Sequence, residues 1–384
     1  MKHTILQIAV AVLTLVLLAE AAVIVQVVRG DENPVTRMFT RTEQTQAPTE
    51  ETEAPTAAPT AEATTQPPTE PEPEPVPEHF TLTFAGDCTL GSAPNKYNAK
   101  YSFLWFVQDN YQYPFENVLE YFEKDDLTVV NLESTFFDEK GPSSGARFTF
   151  RGPTDYVNLL SQNSVEAVSF ANNHTMDYRQ AGYDSTLETL KGAGLPYVEK
   201  DSTMLMTTQS GLTVGFYAVA FELDQPAMEK AVADLRAQGA EVVVVSAHWG
   251  TEGSYRPKQA QTKFAHAAID AGADIVYGHH PHVLQPIEEY NGGVIFYSLG
   301  NFSFGGNNYP RDLDTAILQQ EIVRDVDGSI CLGELTVIPA SISSLPKQND
   351  FKPTPYEPDS DKYNRVLAKL DGSFKGADLV PTYK

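Results

Sequence analysis

Residues 273–283 read ADIVYGHHPHV. The first half is a short apolar, β-branched run, Ile275-Val276-Tyr277, closed by Gly278. A run of this kind bounded by a turn signal reads as a buried strand. The second half places His279, His280 and His282 where that strand stops. In open α/β sheets, functional groups gather just beyond the carboxyl ends of the strands. The ends of the other strands therefore need the same scrutiny.

Working outward, strand-like runs occupy 79–86, 127–133, 165–172, 212–221, 241–248, 293–300, 315–323 and 331–338. Helix-like apolar spacing fills 113–124, 154–162, 183–194, 227–239 and 261–272. Strand–helix alternation predicts an α/β sheet covered by helices on its faces. The apolar runs end in polar clusters: Gly86-Asp87, Asn131-Leu132-Glu133, Asn172-Asn173-His174, His248-Trp249-Gly250 and Gly300-Asn301-Phe302. Five of the eight histidines lie in clusters of this kind.

Imidazole combined with carboxylate and amide oxygen is a borderline-hard donor set, suited to Zn, Mn or Fe. Each piece alone also has a structural reading. Asp87 can cap a turn, Asn172-Asn173 can form a left-handed turn, and His248 can be a hydrogen-bonded core histidine. Their conjunction at five strand ends predicts a metal or catalytic site holding one or two divalent ions. Two cysteines, Cys88 and Cys331, exclude a cysteine-cluster metal site and a disulfide-stapled scaffold.

The net charge is −24, from 51 acidic and 27 basic residues. A surface that acidic excludes nucleic acid as a partner, because phosphate contacts need a basic face. The charge is unevenly placed. Residues 1–40 balance to zero, 41–78 carry −8, and the rest carries −16. Residues 5–28 form an apolar run of 24, enough for a helix to span a bilayer. Residues 1–30 are therefore expected to be an N-terminal membrane anchor, single-pass, with the body extracellular. Cleavage near Ala19-Glu20-Ala21, giving a secreted protein, is the alternative. Residues 31–78 read as a stalk. From 41 to 78 there are nine prolines, nine glutamates and no aromatic residue, a composition that cannot bury a core. The body is expected over 79–345, and 346–384 as a tail with a docking helix at 362–370.

The ordered set GDCTLG (86–91), NLE (131–133), FRGP (150–153), ANNHTMDY (171–178), HWG (248–250), GHHPHV (278–283) and YSLGNF (297–302) resembles the CapA family. These capsule-synthesis proteins are associated with poly-γ-glutamate and are distant members of the calcineurin-like metallophosphoesterase superfamily. The resemblance implies a four-layer α/β/β/α sandwich with metals at one edge. It implies Asp87, Glu133, Asn173, His248, His280 and His282 as metal ligands, and His174 as the general acid. Pro281 is expected to restrict His280 to an extended backbone. Asn131, Asp177, His279 and Asn301 are expected to orient the ligands. Arg151 is the candidate to grip a phosphate or carboxylate through two parallel hydrogen bonds, with a surface ion pair as the alternative.

Two departures bear on activity. Thr89 stands where the superfamily carries a histidine, and Glu133 replaces an aspartate. The resemblance then implies either a single tightly held ion or a weak second one. Three functions stay open on this reading. One is an anchored CapA-like protein acting in synthesis, export or attachment of an anionic polymer, with other capsule-synthesis membrane subunits as partners. The others are a surface metal-dependent hydrolase on another substrate, and a non-catalytic assembly subunit. The acidic body would repel a polyanion except at a local cationic site.

Overall fold

The computed structural model describes residues 75–141 and 143–379. The expected anchor, and the stalk up to residue 74, lie outside the described residues. No helix among the described residues is long and apolar enough to cross a membrane.

In chain order the strands are β1 (Glu78–Thr89), β2 (Leu127–Leu132), β3 (Thr135–Phe136), β4 (Arg151–Gly152), β5 (Ala167–Phe170), β6 (Tyr197–Glu199), β7 (Ser202–Thr207), β8 (Thr213–Ala220), β9 (Val242–His248), β10 (Ile275–His279), β11 (Ile287–Tyr290), β12 (Gly293–Phe296), β13 (Asn301–Phe304), β14 (Asp314–Arg324), β15 (Ile330–Ser341) and β16 (Thr354–Pro355). The helices are α1 (Phe103–Val107), α2 (Leu119–Phe122), α3 (Asn158–Ser161), α4 (Arg179–Gly192), α5 (Gln225–Ala237), α6 (Gln259–Asp270) and α7 (Asp361–Leu370).

The fold is mixed α/β. One large sheet runs β16-β15-β14-β1-β2-β5-β6, with β13 pairing β1; a second runs β11-β12-β10-β9-β8-β7; β3 and β4 form a separate two-stranded sheet. Strands β1, β2, β5 and β6 are parallel, as are β8, β9, β10 and β12. Parallel strands are covered on both faces, so they read as continuous apolar runs rather than alternating ones. Thus all six residues of β2 and all seven of β9 are buried.

Three apolar clusters set the layers. Phe84 and Val129 of the first sheet meet Val214, Val244 and Tyr277 of the second. The outer face of the first sheet packs Val130 and Val168 against Phe103, Phe122, Leu159 and Leu190. The outer face of the second packs Val243 and Val245 against Val232, Leu235 and Phe264. The order is helices, sheet, sheet, helices.

Two segments differ from the sequence reading. The helix expected over 113–124 is reduced to α2. Its upstream half runs as three-residue turns, with Phe115 N donating to Gln112 O at 3.1 Å and Val118 N to Phe115 O at 2.9 Å. Phe115, Val118 and Phe122 are buried by that winding. In the expected tail, β16 is an element the sequence reading lacks, whereas α7 falls on the docking helix expected at 362–370 and buries Val366 and Leu370 in the core between the sheets. Each such side chain contributes about 1.5–3 kcal/mol.

The carboxyl ends of β1, β2 and β5 in one sheet converge with those of β9 and β10 in the other. Their junction requires one glycine. A Cβ on Gly86 would lie 2.3 Å from Gly300 O, where Asp87 N donates to that same carbonyl at 2.8 Å.

Candidate metal centre

Asp87 sits near the end of β1, at a break in register, opposite Asn131 of β2 and Asn301 of β13. Parallel pairing thus lines up three polar side chains across one sheet edge. Asn131 Nδ2 donates to Asp87 Oδ1 at 2.8 Å. Asn172 Nδ2 donates to Asn131 Oδ1 at 3.0 Å and to Leu132 O at 2.8 Å, while Asn172 Oδ1 accepts from His174 N at 3.0 Å. This amide chain fixes the 172–174 turn, which carries Asn173 and His174.

Glu133 follows β2 and is 1% exposed. Neither of its carboxylate oxygens has a hydrogen-bond partner among the described residues. Instead Oε1 lies 3.5 Å from His248 Nε2, 3.8 Å from His282 Nε2 and 4.0 Å from His174 Nε2. Two sets of donor atoms share it: Glu133, His248 and His280, and Asp87, Glu133 and His282. Within each set the atoms lie within 4.8 Å of one another. Asn173 Oδ1 reaches His248 Nε2 at 2.7 Å and so joins the first set.

Burial without donors is expensive for a carboxylate, by several kcal/mol or more. Burial pushes Glu133 well above the ordinary carboxylate range, and the Asp87 charge adds to it. Burial works in the same direction on Asp87. The hydrogen bond and charge of His282, with smaller help from His279 and Asn131, overcome it and hold Asp87 low. Burial depresses His248 far below its usual value, and the neighbouring histidines, His280 first, depress it further. His280 is lowered to about 4, by burial and then by His282. For His282 burial is outweighed by the Glu133 charge and the Asp87 hydrogen bond, which raise it to about 10. The buried Nδ1 atoms of His248 and His280 have no hydrogen-bond partner among the described residues. The neutral imidazoles of His248 and His280, the orphaned carboxylate oxygens and an amide carbonyl are ligand-competent groups, and a cation would have to displace the proton that Glu133 and Asp87 hold on His282. The residues present fit a divalent cation.

The ligand turn is held in unusual backbone geometry. His280 has φ +94° and His282 φ +55°. The extended backbone expected for His280 is therefore corrected. Its N–H points at Asp87 Oδ2, 3.4 Å away, and its ring packs 4.8 Å from both Phe221 and His248. These contacts offset conformational strain of about 1–3 kcal/mol. Asn301 Oδ1 contacts His282 Nδ1 at 2.9 Å and fixes that ring. His279 ends β10 opposite His248, but its Nε2 contacts Ser246 Oγ at 2.9 Å, and it belongs to none of the donor sets.

His174 faces a cavity of about 610 Å3, which Glu252, His282 and Asn301 also line. Its Nδ1 contacts Asp177 Oδ2 at 2.8 Å, and that oxygen also accepts from Phe150 N at 2.6 Å. The carboxylate orients the ring and leaves Nε2 toward Glu133. Arg151 is not among the residues lining this cavity. Its Nη1 donates to Phe137 O at 2.9 Å and Glu139 O at 2.6 Å, and its guanidinium lies 4.4 Å from the Tyr97 ring centroid. Both the expected anion grip and the alternative surface ion pair give way to a buried backbone clamp.

A family model described as Bacterial capsule synthesis protein PGA_cap matches residues 81–306. The chain belongs to that family. It is 31% identical to the PGA biosynthesis protein CapA of Bacillus subtilis (strain 168) over 279 residues, covering 67% of this chain and 70% of that protein. It is 30% identical to the capsule biosynthesis protein CapA of Bacillus anthracis over 318 residues, covering 75% and 73%. Among solved structures, Haemophilus influenzae NAD nucleotidase aligns with a TM-score of 0.40 at 10% identity, over 78% of this chain and 63% of that one.

In this PGA_cap protein every donor described above lies inside the matched range. Sequence reasoning missed two residues there. Asn172, read as part of a turn, anchors the amide chain. Glu252 forms a third donor set with His280 and His282, their ligand atoms within 4.8 Å of one another. Its signal was its place in HWGTEG, four residues after His248, in a chain with 51 acidic residues to choose from. Thr89 is fully buried and its hydroxyl has no hydrogen-bond partner among the described residues.

Proposed function

We propose that this CapA-like protein acts in capsule biosynthesis through a metal-dependent site of metallophosphoesterase type. It would be tethered to the membrane by residues 1–30, and its body would act outside the cell on poly-γ-glutamate or a similar polyanion. The observation that carries the metal reading is Glu133, a buried carboxylate with no hydrogen-bond donor among the described residues, surrounded by three imidazoles. Removing water from such a group is tolerable when a cation takes the place of the missing donors.

Asp87, Glu133, Asn173, His248, His280 and His282 would hold one or two divalent ions. A bound ion would supply a water acidic enough to act as nucleophile near neutral pH. The chain's own contribution is positioning. His174, oriented by Asp177, presents Nε2 to the cavity for proton donation to a leaving group or for a hydrogen bond to a substrate oxygen. A chain end suits the site better than the side of a long polymer, because the body's net charge of −16 repels a polyanion except at a local cationic site. The His174–Asp177 pair favours a catalytic site over a purely structural one.

The experiment is elemental analysis of the full chain purified in detergent, with phosphomonoester, phosphodiester and γ-glutamyl hydrolysis measured on the same sample. One or two ions with turnover supports the proposal. Absence of any ion after incubation with Zn and Mn overturns the metal-dependent part and leaves an assembly role.

A further inference from the structure

We propose that Lys96 and Arg311 form a cationic mouth to the His174 cavity and select a substrate chain that carries an anionic group one short apolar spacer away from the bond held at the cluster. This rests on the polyanion reading above and deepens it by naming the residues that read the charge.

Lys96 and Arg311 both line the cavity that His174 and His282 line, and both are exposed. Lys96 is placed by its backbone. Its N donates to Ala93 O at 2.9 Å and its O accepts from Ala99 N at 3.0 Å, and no side-chain partner holds its ammonium among the described residues. Ser92 N donates to Arg151 O at 3.0 Å, and the Arg151 guanidinium lies 4.4 Å from the Tyr97 ring centroid, so the buried Arg151 clamp fixes the turn that presents Lys96. Arg311 lies between β13 and β14. Its Nη2 donates to Leu379 O, which occupies one of five N–H donors. Leu379 N in turn donates to Gly253 O at 2.7 Å, tying the guanidinium to the turn after β9.

The two acidic residues on the cavity wall have other partners. Asp312 accepts from Lys369 Nζ at 2.6 Å and from Tyr255 OH at 2.7 Å, and Glu252 groups with His280 and His282. Residues 89–108 and 140–151, which bring Lys96 and Phe148 to the cavity, contain no Asp or Glu in a chain with 51 of them. The mouth is therefore locally positive on an acidic body.

Next to the cluster the wall is apolar. The Phe150 ring centroid lies 4.7 Å from that of His174, and the Phe304 centroid 5.2 Å from that of His282. A chain in which methylene spacers alternate with anionic groups matches phenylalanine beside the imidazoles and cations at the mouth. The general repulsion is overcome only for a ligand whose charge reaches Lys96 and Arg311.

The test is calorimetry on the full chain in detergent, with a hexamer of γ-linked glutamate, its uncharged side-carboxamide counterpart and a glycerol phosphate hexamer as probes. The wild type is expected to bind the glutamate hexamer at least about tenfold more tightly than the carboxamide. Lys96→Gln and Arg311→Gln should each raise the Kd of the glutamate hexamer about three- to tenfold, leave the carboxamide unchanged, and keep bound metal at the wild-type level. Lys96→Arg should restore binding. Lys96→Glu, on an exposed turn, carries the test if Arg311→Gln melts below the wild type. Tighter binding of the glycerol phosphate hexamer, lost in the same variants, supports the mouth and assigns phosphate as the charge it reads. A double variant that binds the glutamate hexamer as the wild type does overturns this inference and leaves the polyanion reading standing. Equal wild-type affinity for charged and uncharged hexamers also overturns it. A wild type that binds none of the three overturns the polyanion reading itself.

Discussion

Asn173 Oδ1 and His248 Nε2 lie 2.7 Å apart, and this contact joins the end of β5 in one sheet to the end of β9 in the other. The centre is therefore built across the sheet–sheet junction, and filling it should tighten that junction. Metal content and global stability are expected to move together.

The double variant His280→Ala, His282→Ala removes a donor from each set. It is expected to lose bound metal and the thermal stabilisation that metal confers. A ligand at a hundred times its Kd stabilises by about 2.7 kcal/mol. Melting curves with and without chelator check this: the wild type should shift and the variant should not. Unchanged metal stoichiometry in the variant would sink the assignment.

His174 touches the cluster only at 4.0 Å, through Nε2 to Glu133 Oε1. Its replacement by Ala should leave metal content intact while lowering any hydrolytic turnover by about 10²–10⁴-fold. Turnover and elemental analysis on one sample separate the two roles. Parallel loss of metal would make His174 a ligand instead.

Asp314 is 2% exposed and accepts from Arg365 Nε at 2.7 Å, Arg365 Nη2 at 2.6 Å and Lys369 Nζ at 2.7 Å. Burial opposes its ionisation, but Arg365 and Lys369 hold the carboxyl below its ordinary range. Asp314→Ala leaves the buried Lys369 with Asp312 alone and is expected to cost about 3–5 kcal/mol in chemical denaturation. Lys230→Ala breaks only an exposed pair with Asp234 and should cost about 0.5 kcal/mol or less. Equal costs would mean that the α7 clamp is peripheral.

Asp125 lies at the opposite end of the first sheet, where Thr128 Oγ1 donates to its Oδ2 at 2.6 Å, and burial pushes its carboxyl up to about 7. The folded chain thus keeps a proton that the unfolded chain releases at lower pH. Stability contributed by this group falls as pH rises from about 4 to about 7. Asp125→Asn should remove that slope and be more stable than wild type at pH 8 by about 1–3 kcal/mol. The gain should shrink at pH 5. A gain independent of pH would assign the effect to packing.

Much of this protein was legible from residue order. Parallel strands buried on both faces must be nearly pure apolar runs, so β2 and β9 announce themselves, and their polar ends mark the site edge. That logic gathers polar clusters at the strand ends, the resemblance to the CapA family implies Asp87, Glu133, Asn173, His248, His280 and His282 among them as ligands, and the structure brings these six together. Tertiary structure alone decided three other matters. Arg151 went to the carbonyls of Phe137 and Glu139, because a guanidinium takes whichever acceptors the packed loop leaves open, and no local motif specifies those. His280 took a positive φ despite Pro281, because contacts to Asp87, Phe221 and His248 outweigh a local backbone preference. Glu252 entered the cluster through the bond from Gly253 N to Pro281 O, between segments nearly thirty residues apart. Short-range chemistry is written in neighbouring residues; the pairing of distant turns is set only when both sheets close on a common core.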